Sequence, residues 1–151
     1  MMKHEGMTKP EHQNASDAHD RFWENGETAV AREEPDNNRV YDLEERTARF
    51  GEEVIDFAKT IPQDAVTNRI ITQLVGAPRA LERITSKLTM PYRRKNFYFA
   101  SAHAEKEARE TKHFLRMSVR AVPELKLQAR RLWMEAKELN LIFSKIWRSG
   151  K

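Results

Sequence analysis

Two pairs of adjacent carboxylates, Glu44 with Glu45 and Glu52 with Glu53, are the first residues whose type suits acid and base chemistry. Such work needs two carboxyls converging on one substrate. Sequence neighbours on a helix diverge by about 100°, so these pairs read as a solvated face. His113 stands beside Lys112 and near Arg116, with no Asp or Cys arrangement that would activate it. His4, His12 and His19 recur at a loose spacing, but with no scaffold to orient them they are expected to be solvated rather than metal-bound. The chain has no cysteine, which removes thiol catalysis, disulfides and zinc-thiolate sites. It also lacks the paired Glu-x-x-His motifs, one on each of two helices, that a di-iron site requires, and any Gly-rich phosphate loop. The expectation is a protein that is not an enzyme and holds no cofactor or metal.

Charge is the chemistry that remains. The 151 residues carry a formal +4, unevenly spread. Residues 1–40 hold 5 Lys/Arg against 9 Asp/Glu, so the rest of the chain carries +8 and favours anionic partners, nucleic acid first. Lys106, Arg109, His113, Arg116 and Arg120 recur at steps of three and four, which puts them on one side of a helix. Lys126, Arg130, Arg131 and Lys145 follow on the next helix and extend that stripe. Two readings stay open: a phosphate-binding surface whose affinity falls with salt, or an ordinary solvated face partly neutralised by Glu107 and Glu110. A second cluster, Arg93, Arg94 and Lys95 beside Tyr92 and Phe97, has the aromatic interleaving of a nucleic-acid site but is discounted, because it falls in the stretch read below as out of frame.

The elements that must position these groups are helices. Residues 1–40 are polar with no sustained apolar period and read as a disordered tail, in which Phe22 and Trp23 are either a docking motif or an incidental pair. Leu43, Thr47, Phe50, Val54, Phe57 and Ile61 form one buried stripe, ended by Pro62. Asp64 is placed to cap a second helix that turns Val66, Ile70 and Leu74 inward. Ala108, Leu115 and Val119 share a face of a third helix, and Pro123 punctuates the connection to the fourth. The fourth has the strongest period: Leu125, Ala129, Leu132, Ala136, Leu139, Phe143 and Ile146, with Trp133 and Trp147 at the edge of the core or in an interface. These patterns predict an all-α fold, an antiparallel up-down four-helix bundle over residues 41–151 behind the tail. No apolar run is long enough to span a membrane and no signal-peptide pattern is visible, so a cytoplasmic location is expected.

The strings DLEERTARFGEEVIDFAKTIP, NRIITQLVGA, KEARETKHFLRM and EAKELNLIFSKIW resemble, in colinear order over about residues 42–148, the four-helix-bundle proteins encoded in intervening sequences of 23S ribosomal RNA genes. The resemblance implies a homo-oligomer, typically a ring-like pentamer. Related accessory proteins of diversity-generating retroelements bind RNA or DNA through a basic surface, while a protein-interaction scaffold with no nucleic-acid role is the other function such a bundle suggests.

The resemblance breaks at residues 78–97, PRALERITSKLTMPYRRKNF, where that family usually carries a string like TSIGANYIEA. Gly76, Pro78 and Pro91 also fall where continuous helix is needed, and an interior proline costs roughly 3 kcal/mol. Synonymous codons chosen for this segment and read from the third base of each spell TSIGANYIEADDAVSKKEF. Residues 78–105 therefore read as an out-of-frame stretch between two compensating shifts; a genuine segment instead predicts a kinked or loosened middle. Peptide mass mapping across residues 70–110 of the expressed gene product is expected to return TSIGANYIEA peptides, and masses matching PRALERITSK would end the idea.

Overall fold

The computed structural model describes residues 21–24, 43–88 and 94–149. The chain divides into two units, Met1–Glu33 and Glu34–Lys151. In the first, residues 21–24 make one helical turn in which the Phe22 and Trp23 rings meet edge to face, 5.2 Å apart, and Trp23 is buried. That turn lies within the stretch expected to be a disordered polar tail, at the Phe22 and Trp23 pair noted in it; His4, His12 and His19 lie outside the described residues.

In the second unit, every described element is helical: α1 (Leu43–Thr60), α2 (Thr67–Leu88), α3 (Arg94–Ala121), a 3-10 turn (Pro123–Leu125) and α4 (Lys126–Ser149). Each α-helix packs on its neighbours in sequence, and α1 also packs on α4. The core follows the predicted stripes. Phe50, Val54, Leu74, Leu81, Leu115, Leu139 and Phe143 are fully buried, joined by Phe57, Ile61, Leu132 and the alanines of α3 and α4.

The ends of the helices obey local chemistry. After α1 the Ile61 N–H bonds back to the Ala58 carbonyl, and Pro62 lacks the N–H to continue the ladder. Asp64 Oδ1 accepts the N–H groups of Val66 and Thr67, both at 2.8 Å, while Thr67 Oγ1 accepts the Asp64 N–H at 2.9 Å, a reciprocal cap. The Thr67 amide, then that of Val66, hold the Asp64 carboxyl below its ordinary range. This cap corrects one expectation. With the first helical residue at Thr67, Val66 sits in the turn and is 67% exposed, and Thr67 takes the buried position. Pro123 opens the 3-10 turn, where a missing N–H is harmless.

Three of the buried hydroxyls are satisfied within their own helices. Thr85 Oγ1 donates to the Leu81 carbonyl, Thr111 to Glu107 and Ser118 to Leu115, at 2.6–3.0 Å. Thr47 and Thr85 meet across α1 and α2, with their oxygens 3.2 Å apart.

Pro78, which opens the segment read from the sequence as out of frame, sits inside a helix in the chain as it stands. Helix α2 runs through it from Thr67 to Leu88 rather than stopping, and its side chain is buried. The reason lies on α1: a Cβ built on Gly51 would stand 2.9 Å from Pro78 Cβ, so the absent side chain of Gly51 makes the space that the ring fills. Pro91 lies outside the described residues. Gly76, by contrast, has nothing within 4 Å of a built Cβ. The two glycines should respond oppositely to alanine. Gly76→Ala is expected to gain about 0.5–1 kcal/mol from helix propensity, and Gly51→Ala to lose about 1–2 kcal/mol as overpacking outweighs that gain. Urea denaturation followed by circular dichroism checks both, and a stabilised Gly51→Ala variant would refute the close contact.

Candidate nucleic-acid interface

The basic residues are positioned by the same helical periods that bury the core. On α3, Ala104, Ala108, Thr111 and Leu115 point inward, so the side carrying Lys106, Arg109, His113, Arg116 and Arg120 points outward. Lys106, Arg109, His113 and Arg120 are exposed and Arg116 is half-buried. The stripe is partly neutralised within its own helix: Arg109 Nη2 reaches Glu105 at 2.6 Å and Lys106 Nζ lies 3.7 Å from Glu110. Glu107 is half-buried on the flank toward Arg83. Burial, then the Glu110 charge, raise its carboxyl above the ordinary range, against the pull of Lys106, His103 and Arg83.

Among the contacts of helix α4 with this flank, three involve aromatic and polar groups. Phe99 faces Trp147 with centroids 6.4 Å apart, Asn140 Nδ2 donates to the Glu105 carbonyl at 2.9 Å, and the Lys112 ammonium stands 4.7 Å from the Trp133 ring centroid. Lys137, one turn beyond Trp133, places its ammonium 5.6 Å from the same ring. Trp133 itself is only 4% exposed. The side of α4 turned to α3 thus carries Lys126, Arg130, Trp133 and Lys137 at steps of four, three and four.

The four α4 cations expected to extend the stripe separate into two groups. Lys126 and Arg130 lie on the α3 side, Lys126 exposed but Arg130 only 7% exposed, so Arg130 belongs to the packed seam rather than the open surface. Arg131 lines a groove between α1 and α4 with Glu53, Asp56, Thr60 and Gln128. Lys145, two heptads further along, shares the Arg131 side and is also exposed. The stripe therefore joins Lys126 but not Arg131 or Lys145. The side chains of Arg93, Arg94, Lys95, Tyr92 and Phe97 lie outside the described residues.

Sequence spacing missed the cluster around Trp133. The four-residue step from Trp133 to Lys137 was a visible signal, whereas Lys112 comes from another helix and its approach depends on how α3 and α4 pair.

Packing also disposes of the opposing charges of α4. Arg46 on α1 binds Glu135 with two hydrogen bonds, Nε to Oε1 at 2.6 Å and Nη2 to Oε2 at 2.9 Å, and its Nη2 also reaches Glu138. The hydrogen bond to Glu135 leads in holding the guanidinium protonated, against the cost of burial. Both carboxylates are thereby drawn to the α1 side, away from Lys126 and Lys137. Among the described residues no group of three His, Asp or Glu side chains gathers to hold a metal ion, and no helix is long and apolar enough to cross a membrane. Glu44, Glu45, Glu52 and Glu53 are all exposed, with Glu45 paired to Arg49 at 3.1 Å.

Replacing Arg46 with Met is expected to destabilise the fold by about 1–3 kcal/mol, the cost typical of losing charged hydrogen bonds. Glu138→Gln should cost less, because that side chain is 62% exposed. Chemical denaturation of both variants checks the order, and equal losses would contradict it. Comparison of the chain with protein families, with curated proteins and with solved structures returned no match in any of the three.

Proposed function

We propose that this is a non-catalytic, oligomeric nucleic-acid-binding protein, an antiparallel up-down four-helix bundle of the kind encoded in 23S ribosomal RNA intervening sequences. The bundle reading is supported by contacts whose residue numbers rise on one helix as they fall on its neighbour. Thr47 meets Thr85 while Gly51 meets Pro78, and Phe99 meets Trp147 while Lys112 meets Trp133.

One observation carries the binding function: the charge is partitioned between the two helical pairs. Residues 43–88 hold seven Lys/Arg and seven Asp/Glu, a net of zero. Residues 94–149 hold thirteen Lys/Arg against six Asp/Glu, a net of +7, and a net of +6 remains over residues 106–149, which lie beyond the stretch read as out of frame. A field of one sign on one part of a small protein attracts polyanions and speeds their encounter. The candidate contacts are Lys106, Arg109, Arg116, Arg120 and Lys126, with Arg130 behind them in the seam.

Leu127, 79% exposed, and Leu141, 55% exposed, favour a second role. With the half-buried Met134 they are spaced by seven residues along the outer side of α4, a seam suited to another copy of the chain or a protein partner.

Fluorescence anisotropy with a labelled oligonucleotide across a salt series tests the main proposal. For about four phosphates contacted, affinity should fall about 100-fold between about 50 and 200 mM salt. The double variant Arg116→Glu, Arg120→Glu should weaken binding by at least about tenfold, as charge reversal at two contacts demands. No binding at the lowest salt would reject the proposal, and a protein partner captured after nuclease treatment would support the scaffold role instead.

A further inference from the structure

The arrangement around Trp133 bears on which form of nucleic acid this surface takes, and the argument rests on the nucleic-acid reading above. Proteins that hold single strands do so by stacking bases on accessible aromatic faces along a basic groove. The aromatic side chain in the middle of the α3–α4 seam is not accessible in that sense. Trp133 is 4% exposed, with the Lys112 and Lys137 ammonium groups 4.7 and 5.6 Å from its ring centroid. The other ring near the stripe, His113, stands edge to face against Phe114, with centroids 5.2 Å apart. Phe99 is 63% exposed and lies one heptad, about 10 Å, before Lys106 on the same side of α3, but it stands beyond the end of the array with its ring against Trp147, centroids 6.4 Å apart.

The cations, in contrast, form a straight array. Lys106 to Arg120 spans fourteen residues, about 21 Å of helix, comparable with about six base pairs of duplex at 3.4 Å per step. Two further ammonium groups are held to the Trp133 ring rather than left on freely rotating stems, which lowers the entropy lost when they meet an anion.

We infer that the α3–α4 face recognises the phosphate backbone of a duplex, without stacking or reading bases, through cations carried by α3 and fixed on Trp133. Trp133 is a positioning residue here: it places Lys112 and Lys137 and does not touch the ligand. A rod of paired phosphates presents a higher and more regular charge density than a flexible single strand, so the array is matched to the duplex.

The test compares a duplex DNA of about 20 base pairs, with length chosen to exceed the array, with each of its single strands and with a duplex of scrambled sequence. The full chain and its Trp133→Phe variant are both measured, and circular dichroism checks that the variant folds. Phe keeps a ring beneath the two ammonium groups while reducing the area on which a base could stack. Both duplexes should bind within about twofold of each other and at least about fivefold tighter than the single strands, and Trp133→Phe, a weaker cation–π face beneath the two ammonium groups, should lower duplex affinity by about twofold or more while leaving the preference for duplex unchanged. Tighter binding of a single strand, lost in a folded Trp133→Phe variant, would overturn the inference while leaving nucleic-acid binding intact. Absence of binding to every probe at low salt would overturn both.

Discussion

Four amphipathic helices each carry an apolar stripe that none can bury alone, and joint burial of those stripes is the constraint on which everything else in the structure depends. Phe50 and Val54 from α1, Leu74 and Leu81 from α2, Leu115 from α3, and Leu139 and Phe143 from α4 are almost wholly withdrawn from water. Fully burying such side chains is worth about 1.5–3 kcal/mol each relative to leaving them exposed, far more than the exposed i,i+4 ion pairs of α1 and α3 contribute. Because the stripes set the rotation of each helix, they also set which polar residues face outward.

Small and hydroxylated residues let the inner faces approach. Ala104, Ala108, Thr111 and Ser118 line the buried side of α3, and the Thr111 and Ser118 hydroxyls return their protons to their own helix, so burial strands neither hydroxyl. Gly51 goes further. Lacking a Cβ, it admits the ring of Pro78, and a helix with an interior proline remains packed against its neighbour. The missing hydrogen bond at Pro78 is offset by burial of the ring, which explains why a residue that breaks helices in isolation lies inside one here.

Charge follows from the same rotation. Arg46 gathers Glu135 and Glu138 toward α1, while Lys126, Arg130 and Lys137 lie toward α3. Helix α4 is therefore divided lengthwise into a side that neutralises α1 and a side that adds to the positive stripe of α3. The cations near α3 and the exposed Leu127 and Leu141 away from the core thus lie on different sides of one helix, so the proposed phosphate binding and the proposed association would not compete for the same side chains.

Much of the fold was legible in the amino-acid order because helix periodicity is local: the positions of Phe50, Val54, Phe57, Ala129, Leu132, Ala136, Leu139 and Phe143 were evident from their spacing, and each is buried. Pro62 and Asp64 were likewise readable as a stop and a cap. Val66 was misjudged because a reciprocal cap moved the first helical residue to Thr67. Of the candidate site, the sequence by itself determined that Lys106, Arg109, His113, Arg116 and Arg120 share one side of a helix, since a 3.6-residue turn leaves no alternative. Tertiary structure alone decided that Arg130 enters the seam while Arg131 turns toward Glu53 and Asp56, and that Lys112 reaches Trp133 from another helix. Adjacent residues on a helix diverge by about 100°. Which of two neighbours is buried therefore depends on where the partner helices lie, and local sequence does not contain that information.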